Sequence, residues 1–315
     1  MAKRTLRIAH SPDADDRFMF WALSSGAIAS DLFEFEFTEA DTQSLNRMAT
    51  EGSFDIIAVS AAHYPRIHHL YQPLRMGSSV GAGYGPVLVV QNPGPQGPDR
   101  NALLKSIRAG DWTLLTPGTE TTAHHALKTL GYHFAECIEV PISPMELIFN
   151  ELRHRSLGGG TQATPDGHHR HQHGNQLGKV AALLIHEGRL VYAKYHAELV
   201  LDLGAEWQSR WSCNLPLGIN VIRRTLSEDH RHHLSDLLRE SMNYGIAHQD
   251  EFEDKYVQLG ILNQTQLRHY LEMYANETTL DIAEADKDAF AKLIASTSHG
   301  SKGNPSIPSI PTDWI

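Results

Sequence analysis

An α/β chain folded as two lobes, with a ligand cleft between them, is the fold class that the sequence predicts. Three observations carry this expectation. Short apolar strands alternate with helical segments in both halves of the chain, and a Gly/Pro-rich break at 93–98 separates the two runs. After the second run, an apolar strand at 217–222 precedes a long helical part, so the first lobe resumes after the second is complete. The 315 residues are also too many for one ordinary core and suit two lobes of roughly 100–200 residues.

The first unit is the strand Leu6–His10, broken at Ser11-Pro12-Asp13 and followed by a helix with Phe18, Phe20, Trp21 and Leu23 that Gly26 ends. Leu32–Phe37 alternates apolar and acidic residues, the period of a half-exposed strand. Asp41 caps a helix carrying Leu45, Met48 and Ala49, and Gly52 stops it. Phe54–Val59 reads as a buried strand with Ser60 at its carboxyl end, leading into a helix over Ala61–Leu70. The glycine-rich stretch Gly77–Gly85 runs into the strand Pro86–Gln91, after which the lobe boundary is placed.

The second lobe takes a helix near Leu103–Arg108, the strand Trp112–Thr116, a turn at Pro117-Gly118, helices over Thr121–Leu130 and Pro144–Arg153, and the strand Val180–Ile185. Residues 157–176 are a Gly/His-rich insertion without periodicity, expected as a surface loop. Leu217–Ile222 returns to the first lobe. Helices follow from Ser227, with Leu234, Leu237, Leu238 and Met242 on one face, then at Gln264–Tyr274 and Ala283–Ile294. Ser296–Ile315 is rich in Ser, Pro and Gly and reads as an extended appendage. The expected lobes are therefore 1–91 with 213–315, and 92–212.

Composition narrows the function classes. Hydrophobic residues make up 41% and charged residues 20%, enough apolar material for proper cores. Against 37 Asp and Glu stand 27 Lys and Arg, a formal charge of -10 that excludes a phosphate-backbone binder, so no nucleic-acid partner is expected. Apolar runs such as Val180–Ile185 fall far short of the ~18 residues that cross a bilayer. The start carries Lys3, Arg4 and Arg7 but no apolar stretch before Asp13, Asp15 and Asp16, so no export signal and a cytoplasmic location are expected. Cys137 and Cys213 are far apart and form no CxxC pair, which argues against a disulfide framework or zinc knuckle.

Chemistry is sought at strand ends, because open α/β sheets bind ligands at the carboxyl ends of their strands. Four such junctions carry polar groups: Ser11–Asp16, Ser60, Thr119–Ala123 and His186-Glu187. Ser, Thr and Asp in these places are ordinary helix caps, and this bland reading outweighs function for each taken singly. Thr121, Thr122 and Ala123 open a helix, whose free amides make a seat for an organic anion. His186 ends a fully apolar strand and faces core or crevice; a free imidazole with pKa ~6.5 suits a general base, and a satisfied structural histidine fits the sequence equally well. Gly81, Gly83 and Gly85 lack dinucleotide-loop spacing and precede a strand, so they point to close backbone approach to a ligand. His168, His169, His171 and His173 lack acidic or cysteine partners, and no metal site or cofactor is expected. The sequence leaves the oligomeric state open, a homodimer included.

Several stretches together resemble the 1,4-dihydroxy-6-naphthoate synthase family of the futalosine route to menaquinone. They are Ser11-Pro-Asp-Ala-Asp-Asp16 with Phe18-Met-Phe20, Asp41-Thr-Gln-Ser-Leu-Asn46-Arg, Val59-Ser60-Ala-Ala-His-Tyr64 and Gly81–Val89, then Thr121-Thr122-Ala123, Leu184-Ile-His186-Glu-Gly-Arg189 and Leu215-Pro-Leu-Gly218. The resemblance implies a periplasmic-binding-protein-like fold turned to catalysis and conversion of cyclic dehypoxanthinyl futalosine, a small carboxylate, to 1,4-dihydroxy-6-naphthoate with release of a sugar-derived fragment. It implies His186 as the base and Asn46, Ser60, Thr122 and Ala123 along the ligand site, to which the strand-end reading adds Ser11, Asp16 and Thr121 as substrate-binding residues. Where the family usually shows Ser-Pro-Cys-Pro-Asn-Asp, this chain has two acids, Asp13 and Asp15, in place of a thiol and an amide. An extra carboxylate in the cleft repels an anionic substrate unless it points away or is neutralised. Two other expectations compete: a lyase like the related chorismate dehydratase, and a solute-binding protein that only captures a small acid.

Overall fold

The computed structural model describes residues 3–92, 94, 99–157, 178–298 and 313–315, and within them eleven strands form two separate sheets. Numbered in chain order, the first sheet holds β1 (Arg4–His10), β2 (Phe33–Glu39), β3 (Ile56–Ser60), β4 (Tyr71–Pro73), β5 (Ser79–Gly81) and β11 (Leu215–Arg223). Its order is β2-β1-β3-β11-β4, with β5 also on β11. The second sheet holds β6 (Val87–Gln91), β7 (Thr113–Thr116), β8 (Glu136–Glu139), β9 (Val180–Leu184) and β10 (Ala197–Asp202), in the order β10-β6-β9-β7-β8.

The helices α1 (Ala14–Ser24), α2 (Thr42–Glu51) and α3 (Tyr64–Ile67) follow the first three strands. The second lobe carries α4 (Arg100–Arg108), α5 (Thr122–Thr129), α6 (Glu146–Ser156), α7 (Gly188–Val191) and α8 (Leu203–Trp211). After β11 come α9 (Glu228–Ala247), α10 (Gln249–Tyr256), α11 (Gln264–Tyr274), α12 (Glu277–Leu280) and α13 (Glu284–Ser298). Helices α9 and α11 pack on α1, and α13 packs on β11, so the C-terminal part completes the first lobe, as the sequence predicts. No helix among the described residues is long and apolar enough to cross a membrane.

Local chemistry sets these elements. The Asp41 carboxylate accepts from the Ser44 amide at 3.0 Å and starts α2, and Gly52, at φ 66°, ends it in a left-handed turn that favours glycine. Every residue of β9 is buried because strands flank it on both sides, β6 antiparallel and β7 parallel. In the first sheet, antiparallel β11 sets Gly218 opposite Ser60, which brings the Leu217–Ile219 backbone beside the end of β3.

Three sequence expectations are corrected, and the glycine stretch, whose Gly85 lines the cavity between the lobes, takes a further role. The strand Val87–Gln91 lies in the second sheet, not the first: its backbone pairs with β9 on one side and β10 on the other, so the lobe boundary falls before it and not after it. The expected helix Ala61–Leu70 shrinks to a 3-10 turn over Ala61–His63 and the single turn α3, because Pro65 offers no N–H to continue the ladder. Gly85 and Gly204 approach each other: a Cβ on Gly204 would lie 1.9 Å from the Tyr84 carbonyl oxygen, so this glycine stretch also serves a backbone crossing. The appendage ends docked, with the Ile315 amide donating to the Pro73 carbonyl at 3.1 Å and Trp314 edge-on to Phe290 at 5.1 Å. The insertion at 157–176, apart from Leu157, and most of the appendage lie outside the described residues.

Candidate active site

A cavity of about 100 Å³ lies between the lobes, lined from both sheets. The end of β1 brings Ser11, Asp13, Asp15 and Asp16, and the end of β3 brings Ser60. From the other lobe come Thr121, Thr122 and Ala123 at the start of α5 and His186 after β9. The structure therefore gathers seven of the eight predicted site residues into one wall. The eighth, Asn46, is fully buried behind it: its Nδ2 donates to Ser60 Oγ and the Glu120 carbonyl, both at 3.1 Å, and its Oδ1 accepts from the Ser60 amide at 2.9 Å. Asn46 holds Ser60 so that the serine O–H is left to donate into the cavity.

The threonines do not present free hydroxyls. Thr121 Oγ1 accepts from the His124 amide at 3.2 Å and donates to the Gly118 carbonyl at 2.8 Å, a helix cap. Thr122 Oγ1 donates to the Leu217 carbonyl at 2.7 Å and accepts from the Ala62 amide at 3.1 Å, which ties the lobes together. What faces an anion is the backbone: the amides of Thr122 and Ala123 open the helix and have no acceptor within it.

His186 sits in the turn after β9 with φ 51°, a left-handed backbone that costs a non-glycine residue ~1–2 kcal/mol and swings its ring out of the strand line. The ring spans the lobes: Nδ1 meets Asp13 Oδ2, and Nε2 lies 2.9 Å from Thr42 Oγ1. With the proton of this pair on Nδ1, Nε2 offers a lone pair, to which the Thr42 hydroxyl donates. Glu187 turns the other way, accepting from the Ala14 amide at 2.9 Å and the Tyr256 hydroxyl at 2.7 Å.

Around this ring stands a surplus of buried acid. Burial pushes the Asp13 carboxyl well above its usual range, and the charges of Asp16 and Glu187 add to it. Asp15 is raised by burial and then by Asp13, although it accepts from the Tyr270 hydroxyl at 3.0 Å. Asp16 is pushed up to about 6 by burial and Asp15, against the pull of His10 and the Ser11 amide, which donates to it at 2.7 Å. Asp15 and Asp16 hold protons more tightly than free carboxyls, which lowers the repulsion that an anionic ligand would meet.

Donor atoms of Asp13, Asp15 and His186 all lie within 4.8 Å of one another, a distance at which one cation could be shared. Sequence spacing, the basis for expecting no metal, could not reveal this grouping, since the fold closes it from opposite lobes. Asp13 and His186 join each other directly, and Asp15 accepts from the Tyr270 hydroxyl.

Among the cavity residues that sequence reasoning missed are Thr42, Arg189, Tyr270 and Tyr274. Arg189 donates to the Gly85 carbonyl at 2.6 Å and to Asp202 at 3.2 Å, with its guanidinium 5.4 Å from the Tyr84 ring centre. Its signal was its place three residues after His186. The two tyrosines arrive on α11, far along the chain, and nothing local marks them.

A family model described as menaquinone biosynthesis matches residues 6–154 and 162–299. The 1,4-dihydroxy-6-naphthoate synthase of Thermus thermophilus is 30% identical over 292 residues, covering 92% of this chain and 93% of its own. A crystal structure of an Archaeoglobus fulgidus protein aligns with TM-score 0.75 and 31% identity, covering 94% of this chain and 97% of the other. A Candida albicans protein described as having the generic periplasmic-binding-protein fold aligns with TM-score 0.59 at 10% identity, over 93% of this chain and 95% of the other. The predicted two-lobed, periplasmic-binding-protein-like fold is thus borne out.

Proposed function

This chain belongs to the menaquinone-biosynthesis family, and from that membership we propose that it is a cytoplasmic 1,4-dihydroxy-6-naphthoate synthase acting on cyclic dehypoxanthinyl futalosine. One observation carries the reading to the residues: His186 is held across the closed cleft by Asp13 and Thr42, beside an anion seat made of the α5 amides and the Ser60 hydroxyl. The substrate carboxylate sits on that seat. His186 Nε2 takes a proton from the carbon or hydroxyl beside a carbonyl, the step that starts breakdown of the bicyclic substrate, and the sugar-derived fragment leaves as the naphthoate becomes aromatic. Such a carbon–carbon lyase asks of the protein only positioning and proton transfer, contributions of ~10² to 10⁴ for a well-placed base.

The test is incubation of the purified protein with cyclic dehypoxanthinyl futalosine, with 1,4-dihydroxy-6-naphthoate followed by mass spectrometry. Multiple turnovers support the proposal. Tight capture of the compound without conversion would instead favour a solute-binding role, and consumption of chorismate in a parallel incubation would favour the dehydratase-like reading.

A further inference from the structure

We infer that Asp13 is the positioning residue of His186, and that the two form an aspartate–histidine pair assembled only when the lobes meet. The inference rests on the reading of His186 as the base. Asp13 precedes α1 in the first lobe, whereas His186 follows β9 in the second, so the contact between Oδ2 and Nδ1 crosses the cleft. Asp13 is 5% exposed and stands at the N-cap position of α1, yet its side chain makes no capping bond there. A residue after a strand and before a helix ordinarily serves as a cap, so a buried carboxylate that declines this role and turns to a ring in the other lobe has another task.

That task follows from the ring's two nitrogens. A carboxylate on Nδ1 fixes the proton there, leaves Nε2 as the basic atom, and stabilises the imidazolium that forms when Nε2 takes the substrate proton. The proton then returns from Nε2 to the departing fragment, so none is gained or lost over the cycle. Asp15, Asp16 and Glu187 surround Asp13, with Tyr270 and Tyr256 behind them on α11 and α10. None of these touches Nδ1 in its place. The remaining oxygen of Asp13, Oδ1, is buried without a hydrogen-bond partner, its backbone amide donates to Ser11 Oγ at 3.4 Å, and its carboxyl also bonds the neighbouring Ser11 and Asp15 side chains, so His186 is its contact in the other lobe.

The variants are Asp13→Asn, Asp13→Ala, His186→Asn and Asp13→Asn with His186→Asn, each checked for folding by circular dichroism. With cyclic dehypoxanthinyl futalosine, Asp13→Asn should lower kcat ~10²-fold or more while KM moves less than ~3-fold. The double variant should be no more than ~3-fold slower than His186→Asn alone, because two residues that act as a unit lose their contribution once. Independently of turnover, ¹⁵N-histidine spectra of the wild type should show the His186 ring protonated on Nδ1, its signals being those lost in His186→Asn; in Asp13→Asn and Asp13→Ala that preference should vanish. Unchanged ring signals, or a full kcat in Asp13→Asn beside an impaired His186→Asn, overturn the inference alone. A full chemical rate in His186→Asn overturns the base reading instead, and the ring spectra then decide the pairing by themselves.

Discussion

Replacing Asn46 by alanine tests how the wall of the cleft is held. The side chain is completely buried and makes three hydrogen bonds, two to Ser60 and one to the Glu120 carbonyl of the opposite lobe. Each intramolecular bond contributes ~0.5–1.5 kcal/mol net, and a buried partner left unsatisfied adds ~1–3 kcal/mol. Water entering the space would satisfy part of this, so the expected loss is about 2–4 kcal/mol. At ~2–4 °C per kcal/mol for chains of this class, the melting temperature should fall by at least ~4 °C. Urea unfolding followed by far-ultraviolet circular dichroism measures the loss directly, and KM should rise because Ser60 is no longer fixed. A loss below ~0.5 kcal/mol with KM unchanged would refute the assignment of Asn46 as the support of Ser60.

Three further outcomes follow from the buried charges. Asp16 keeps its proton up to about pH 6 in the folded chain, whereas a free carboxyl releases it near 3.8, so its contribution to stability falls as pH rises from ~4 through ~6. Asp16→Asn, which can still accept from the Ser11 amide, should be more stable than wild type at pH 7.5 by about 2–3 kcal/mol and no more stable at pH 4; urea titrations at the two values check the sign. His63, lowered to about 4 by burial, acts the other way: from pH ~6.5 down to ~4 the unfolded chain binds a proton that the folded one refuses, so stability falls with acidification by up to ~3 kcal/mol. His63→Gln should flatten that part of a melting-temperature profile, leaving a residual slope from His124, which burial also lowers to about 4. Turnover should survive exhaustive chelation, since proton transfer by His186, held by Asp13, needs no cation; a rate lost to the chelator and restored by one defined metal would assign Asp13, Asp15 and His186 to a cation instead.

The sheets and most helices were legible because they rest on local signals. Asp41 with Gly52 bounds α2, Ser227 starts α9, and the unbroken apolar run of β9 delivers His186 to a strand end. Partnership was not legible. The run Val87–Gln91 is apolar whichever sheet it joins, and only pairing with β9 and β10 assigns it to the second lobe. Short strands such as β4 and β8 carry too few residues to show a period. At the site, Ser60, Thr121 and Thr122 were found as residues, but the structure redistributes their tasks: the hydroxyls of both threonines hold backbone, and the amides are what remain for a ligand. Asp13 read as a departure from the family's opening motif, and its meaning depends on His186 from the opposite lobe, a contact that no sequence spacing encodes.

The proposed role of His186 as the base of the closed cleft is tested most directly by the single-turnover rate of 1,4-dihydroxy-6-naphthoate formation in wild type and His186→Asn at saturating cyclic dehypoxanthinyl futalosine, with binding followed by calorimetry. The chemical step should slow by ~10² to 10⁴ and the affinity change far less, because the α5 amides and Ser60 would still hold the carboxylate. An unchanged chemical step in a variant that binds normally would contradict that role and return His186 to a purely structural part.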